Sequence, residues 1–191
     1  AKMYRAMGFD PISPEDQALR ATLDAFLAHL DEGEWQSRKT AIVKRLAATT
    51  ATTLWAARPH RDSQDEIGWY LMLAELALID PVCQETNQAA RTLPFLTAIG
   101  KVLAHRGRVG GLDEKMEEVL GDSRHSPDGI LFEILVALTY AAQGWDVQML
   151  KANPPSKSPD LLVSRDGLEF YVECMRQSRR PTYREREHQA F

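Results

Sequence analysis

The stretch that decides the fold reads Pro159-Asp160-Leu161-Leu162-Val163-Ser164-Arg165-Asp166-Gly167-Leu168-Glu169-Phe170-Tyr171-Val172-Glu173-Cys174-Met175. Asp-Gly between two runs of β-branched, aromatic and aliphatic residues is a hairpin signal, because the tight turn needs positive φ at both central positions. Strands are therefore predicted over 160–165 and 168–175, joined by Asp166-Gly167. A loop of two residues sets Arg165 opposite Leu168, Val163 opposite Phe170, Leu161 opposite Val172 and Asp160 opposite Glu173. A loop of four would keep this pairing, whereas three or five would shift it by one. Side chains alternate along a strand, so Leu161, Val163, Phe170, Val172 and Cys174 share one apolar face, the core side. Asp160, Glu173 and Met175 share the other. Directly opposed residues have Cβ atoms about 4.5–5.5 Å apart, so the hairpin sets two carboxylates side by side. Their repulsion is relieved by a divalent cation held between them. Such pairs also occur as ordinary surface residues, and the pair alone leaves both readings open.

Upstream, Ser126-Pro127-Asp128 carries the marks of a helix start: a capping residue, an early proline and an acid near the positive end of the dipole. The helix is expected over 129–143, closed by Gly144 in a left-handed conformation. Within 129–142 the only charged residue is Glu133, set among Ile130, Leu131, Phe132, Ile134, Leu135, Val136 and Leu138. A helix apolar on nearly every side is buried, and a buried carboxylate needs a partner. A metal or a water held by a metal is one candidate; an ion pair with Arg, or a raised pKa, is another. Residues 145–150 alternate as a first strand, and 151–158 form a loop rich in proline, serine and lysine.

The succession of a helix bearing Glu133, a strand, Pro159-Asp160 heading the next strand and Glu173-Cys174-Met175 on the third resembles the restriction-endonuclease-like PD-(D/E)XK nuclease superfamily. The resemblance covers about the last third of the chain. It implies an α-β-β-β-α nuclease-like core over 123–191, which with the all-α helical domain read from caps and periodicity over residues 1–122 makes an α+β architecture. It implies further that Asp160 and Glu173 are ligands of Mg²⁺ (or Mn²⁺), and that Glu133 is a third ligand or orders metal-bound water. The activity implied is phosphodiester hydrolysis of nucleic acid, DNA in preference to RNA. The family's catalytic lysine falls on Met175, which matches lysine in length but supplies neither charge nor donor to a developing anion. Metal binding without efficient cleavage is the expectation. Arg176 points to the opposite face and does not replace that lysine; Lys157 is a possible substitute. The family core runs through a further helix and strand, so the domain is expected to be incomplete at Phe191.

The remaining readings come from charge and periodicity. Of the 191 residues, 44% are hydrophobic and 26% charged, with net charge −4. Residues 123–191 hold nine Lys/Arg and nine Asp/Glu, so the acidic excess lies in 1–122. Arg176, Arg179, Arg180, Arg184 and Arg186 crowd near the end, an arrangement that suits either phosphate contacts, sensitive to salt, or a solvated surface. Two cysteines, Cys83 and Cys174, give neither a disulfide framework nor metal-knuckle spacing, which favours a reducing, cytoplasmic setting. No run approaches the roughly 18 apolar residues of a membrane span. Helices are predicted over 14–30, 34–57, 63–79, 92–105 and 112–120, with a glycine-rich turn at 106–111. His60, His105 and His125 stand isolated and are read as surface or core residues. This acidic helical half suits a protein partner or self-association, so a non-catalytic nuclease-fold binding module and a helical interaction scaffold are the rival readings.

Overall fold

The computed structural model describes residues 13–52, 62, 64–79, 86–151 and 158–175. Six helices and a small mixed sheet of four strands make up an α+β structure that is mostly helical. In chain order these are α1 (Pro14–Leu27), α2 (Glu32–Thr52), α3 (Glu66–Ile79) and α4 (Thr86–Val102), then a 3₁₀ turn over Leu103–Arg108. There follow β1 (Val109–Gly110), α5 (Leu112–Leu120), α6 (Asp128–Ala142), β2 (Asp146–Met149), β3 (Leu161–Arg165) and β4 (Leu168–Val172).

Local rules account for most of the boundaries. Helix α1 begins with a full capping box: the Ser13 hydroxyl accepts from the Asp16 N–H, and the Asp16 carboxylate accepts from the Ser13 N–H. Helix α3, with the long apolar run Trp69–Ile79, lies in the core, and its single interruption, Glu75, pairs with Lys39 of α2. Among the described residues no helix is long and apolar enough to cross a membrane. Two elements differ from expectation. Helix α4 starts at Thr86 rather than 92 and carries Pro94 inside it, because burial of Ala89, Leu96 and Ile99 outweighs the lost backbone donor. Helix α6 has Pro127, not Ser126, at its cap position, and no side chain caps it.

One apolar cluster joins the helices to the sheet. It runs from Phe26, Ile42, Leu71 and Leu73 through Met116 and Val119 to Ile134, Leu138, Val147, Leu161 and Val163. The position expected to divide the helical half from the rest, 122, falls between α5 and α6, which pack on one another, and α4 packs on α6 as well. Helices α1 and α4 make the closest crossing: Thr22 donates from its hydroxyl to the Leu96 carbonyl at 2.7 Å, and the missing side chain of Gly100 leaves room for the Ala18 carbonyl.

The sheet order is β1-β2-β3-β4, with β1 parallel to β2 and the other pairs antiparallel. Strand β1 was not legible as a strand; its two residues lie within the turn predicted at 106–111, and its partner is nearly forty residues away at Val147–Gln148. The hairpin follows the predicted register, with Leu161 on Val172, Val163 on Phe170 and Arg165 on Leu168. Asp166 and Gly167 take φ of 53° and 80°, as the turn requires. On β3 the apolar face is fully buried at Leu161 and Val163. On the edge strand β4 it is thinner: Val172 and Cys174 pack on the core margin, while Phe170 is 36% exposed and closes edge-to-face on Tyr140 and Trp145.

Candidate functional site

Asp160 stands immediately ahead of β3, and Glu133 of α6 lies near enough to feel its charge. The regular ladder stops at Leu161–Val172. Beyond it the Asp160 N–H donates to the Val172 carbonyl at 3.0 Å, and the Asp160 carboxylate accepts from the Cys174 N–H at 2.6 Å. A carboxylate that takes a backbone donor in this way ties the start of β3 to the segment leaving β4. The direct Asp160–Glu173 strand pairing expected from sequence is thus replaced by a side-chain bond to the backbone one residue farther on. Strand β4 ends at Val172, so Glu173 and Met175 lie beyond it. Both are exposed, Met175 to 80%. Arg176, Arg179, Arg180, Arg184, Arg186, Lys157, Cys83 and His60 lie outside the described residues. His105 and His125 are exposed surface residues.

Glu133 does not stand alone. Lys115 of α5 reaches across with its ammonium 3.2 Å from Glu133 Oε2 and 3.2 Å from Glu118 Oε2. The Lys115 and Glu133 side chains are only 11% and 16% exposed. With the ammonium at 3.2 Å, the buried Glu133 Oε2 has no aligned hydrogen-bond partner among the described residues. The pair is held by charge and proximity rather than by an aligned bond.

The electrostatics show which groups share one field. Burial pushes the Glu133 carboxyl above its ordinary range; Lys115 pulls it back, and Asp160 and Glu118 push it up again. Burial opposes the charge on Lys115, but Glu133 and Glu118 outweigh it and hold the ammonium above the usual lysine value. The Cys174 thiol is pushed up to about 11 by burial, with Asp160, Glu133 and Glu173 adding to the effect. Glu133, Asp160 and Glu173 therefore act on one small region around Cys174, with Lys115 at its edge.

That edge opens into a cleft of about 1000 Å³ lined by Gly111, Lys115, Gln148, Met149 and Lys151, with Glu114, Glu117, Glu118 and Asp122 among its acids. Lys115 is the residue that sequence reasoning missed. The signal was present: buried positions of α5 run Leu112, Lys115, Met116, Val119, Leu120, so a lysine sits within an apolar stripe. It is the counterpart of Glu133, the lone charge within 129–142.

No group of three or more His, Cys, Asp or Glu side chains is arranged to hold a metal ion among the described residues. The donor chemistry nevertheless suits a hard divalent cation: the carboxylates are oxygen donors, and Glu133 Oε2 is a buried acceptor without a donor. No family model matches the chain, and no curated protein or solved structure matches it significantly.

Proposed function

We propose that the carboxylates at the head of β3 form a metal-dependent phosphodiesterase site of the PD-(D/E)XK type, with Met175 in the position that disables cleavage. One observation carries the reading: Glu133, on the helix that leads into β2, and Asp160, ahead of β3, lie within each other's electrostatic reach, with Glu173 acting on the same region. In support, α6, β2, β3 and β4 follow one another in the order that the motif requires.

In this reading Asp160, Glu173 and Glu133 hold Mg²⁺ or Mn²⁺. The cation, when bound, supplies charge stabilisation at phosphoryl oxygens and acidifies water. The chain's own contribution is positional. The Cys174 N–H fixes the Asp160 carboxylate, the hairpin register brings the Glu173 segment beside it, and burial of α6 holds Glu133 in place. Residue 175 directly follows the amide that Asp160 grips, and in this reading a lysine there would serve the reacting phosphate. Methionine offers that phosphate no cation, so nucleic acid, DNA in preference, is bound and not efficiently cut. The arginines at 176, 179, 180 and 184 supply backbone contacts.

The test is M175K in the full chain, assayed on supercoiled DNA and on RNA with Mg²⁺ or Mn²⁺. Restoring a positioned proton-transfer or charge-stabilising group is worth about 10²–10⁴-fold in rate. A gain of that order, abolished by adding D160A, supports the site. Absence of metal-dependent cleavage by M175K on either substrate refutes it. The exposed, uncharged Met175 also favours a second reading, a nuclease-fold module that binds and never cuts. Calorimetric titration with Mg²⁺ separates the two, since a module that has abandoned the site binds no cation at Asp160 and Glu173.

A further inference from the structure

The metal-site reading leaves one buried charge without a role, the ammonium of Lys115. A divalent cation taking Glu133 Oε2, the oxygen without a hydrogen-bond partner, would meet the Lys115 ammonium 3.2 Å from that same oxygen, and the two positive charges repel. Its hold on Glu133 is divided, because Glu118 engages the same ammonium. Nζ sits 3.2 Å from Oε2 without hydrogen-bond alignment, and Glu118 draws it equally from the other side at 3.2 Å. A divalent cation carries twice the charge and approaches a carboxylate oxygen more closely, at about 2.0–2.1 Å for Mg²⁺. Lysine's four-carbon stem gives the displaced ammonium reach, and the cleft of about 1000 Å³ that it lines gives it space.

The cleft gives that displacement a consequence. Its lining includes Glu114, Glu117, Glu118 and Asp122 against Lys115 and Lys151, a balance that repels a phosphate while Lys115 is engaged by carboxylates. We propose that Lys115 and a divalent cation compete for Glu133, and that the cation's arrival frees the Lys115 ammonium to bind a substrate phosphate in the cleft. Lys115 is then a positioning residue that makes anion binding conditional on metal. The inference rests on the phosphodiesterase reading of the same carboxylates, and by linkage the metal is also bound more tightly when the anion is present.

Three measurements on the full chain test this. Lysine labelling with an N-hydroxysuccinimide ester, read by mass spectrometry on the wild-type protein, is expected to rise at Lys115 when Mg²⁺ is added. Mn²⁺ affinity, read from the free-ion paramagnetic resonance signal, is expected to rise about tenfold in K115M, within the ordinary 5–150-fold range of coupling. Binding of a fluorescein-labelled DNA oligonucleotide is expected to tighten on adding Ca²⁺ in the wild type and much less in K115M. The labelling needs no variant, so it decides the matter even where K115M fails to fold. Metal binding that D160N weakens, with Lys115 labelling, K115M affinity and DNA tightening all unchanged, overturns the role of Lys115 and leaves the metal site standing. No Mn²⁺ binding in wild type or K115M overturns both.

Discussion

Replacing Gly100 with alanine sets two well-measured effects against each other. In the interior of an exposed helix, glycine to alanine stabilises by about 1 kcal/mol, because the backbone loses less entropy on folding. At Gly100 the surroundings oppose this. A Cβ there would overlap the Ala18 carbonyl oxygen, and would lie 2.5 Å from the Ala18 carbonyl carbon and 2.8 Å from the Thr22 hydroxyl. The obstruction is backbone of α1 and cannot rotate away, so α1 and α4 must part by about 1 Å or more, an overpacking that costs about 1–3 kcal/mol. Separation also strains the buried bond from the Thr22 hydroxyl to the Leu96 carbonyl, 2.7 Å long, whose loss with its acceptor left buried costs about 1–3 kcal/mol. Set against the helix gain, the net loss is about 1–5 kcal/mol, a large share of a total stability of about 5–15 kcal/mol. Urea denaturation followed by far-ultraviolet circular dichroism measures it. The companion variant T22V, similar in shape but without the hydroxyl, reports the loss of the hydrogen bond, and G100A/T22V should cost less than the two singles added, since both act through one contact. A G100A protein as stable as the parent, or more so, would refute the close crossing of α1 and α4.

Three further outcomes follow from particular contacts. Burial, the Glu66 hydrogen bond and the charges of Asp128 and Glu66 hold the Tyr70 hydroxyl above its ordinary pKa, with Arg91 opposing. The folded protein keeps this proton after the unfolded chain sheds it, so stability is intact below about pH 10 and falls as pH rises past that value. Y70F should flatten this decline in urea midpoints taken between pH 8 and 11, and parallel curves would contradict it. F170A removes the edge-to-face contacts with Tyr140 and Trp145 at ring separations of 5.8 and 5.3 Å. Because Phe170 is already 36% exposed, the expected loss is about 1.5–2.5 kcal/mol, well short of the ~3–5 kcal/mol of a fully buried phenylalanine, and a loss within the latter range shows that the edge is covered. D160A deletes the 2.6 Å acceptor of the Cys174 N–H, at about 1–2 kcal/mol, and should speed hydrogen exchange at that amide. Unchanged protection there would mean that Asp160 does not tie β3 to the segment after β4.

What the sequence by itself determined was what local chemistry sets. Asp166-Gly167 specifies a turn with positive φ at both positions, and that turn dictates every pairing from Arg165–Leu168 to Leu161–Val172. Ser13-Pro14-Glu15-Asp16 specifies the start of α1, and the spacing of Leu112, Met116, Val119 and Leu120 specifies α5 to the residue. The isolation of Glu133 showed that a buried carboxylate needed a partner. Which partner it has was decided only by tertiary structure, because α5 and α6 had to pack before Lys115 could reach it. The same dependence governs β1, whose two residues become a strand only by pairing with β2. It also governs the end of the hairpin, where Asp160 exchanges the expected register for the Cys174 amide. Periodicity and turn chemistry act within a few residues, whereas ion pairs and strand ends depend on distances that only the folded chain sets.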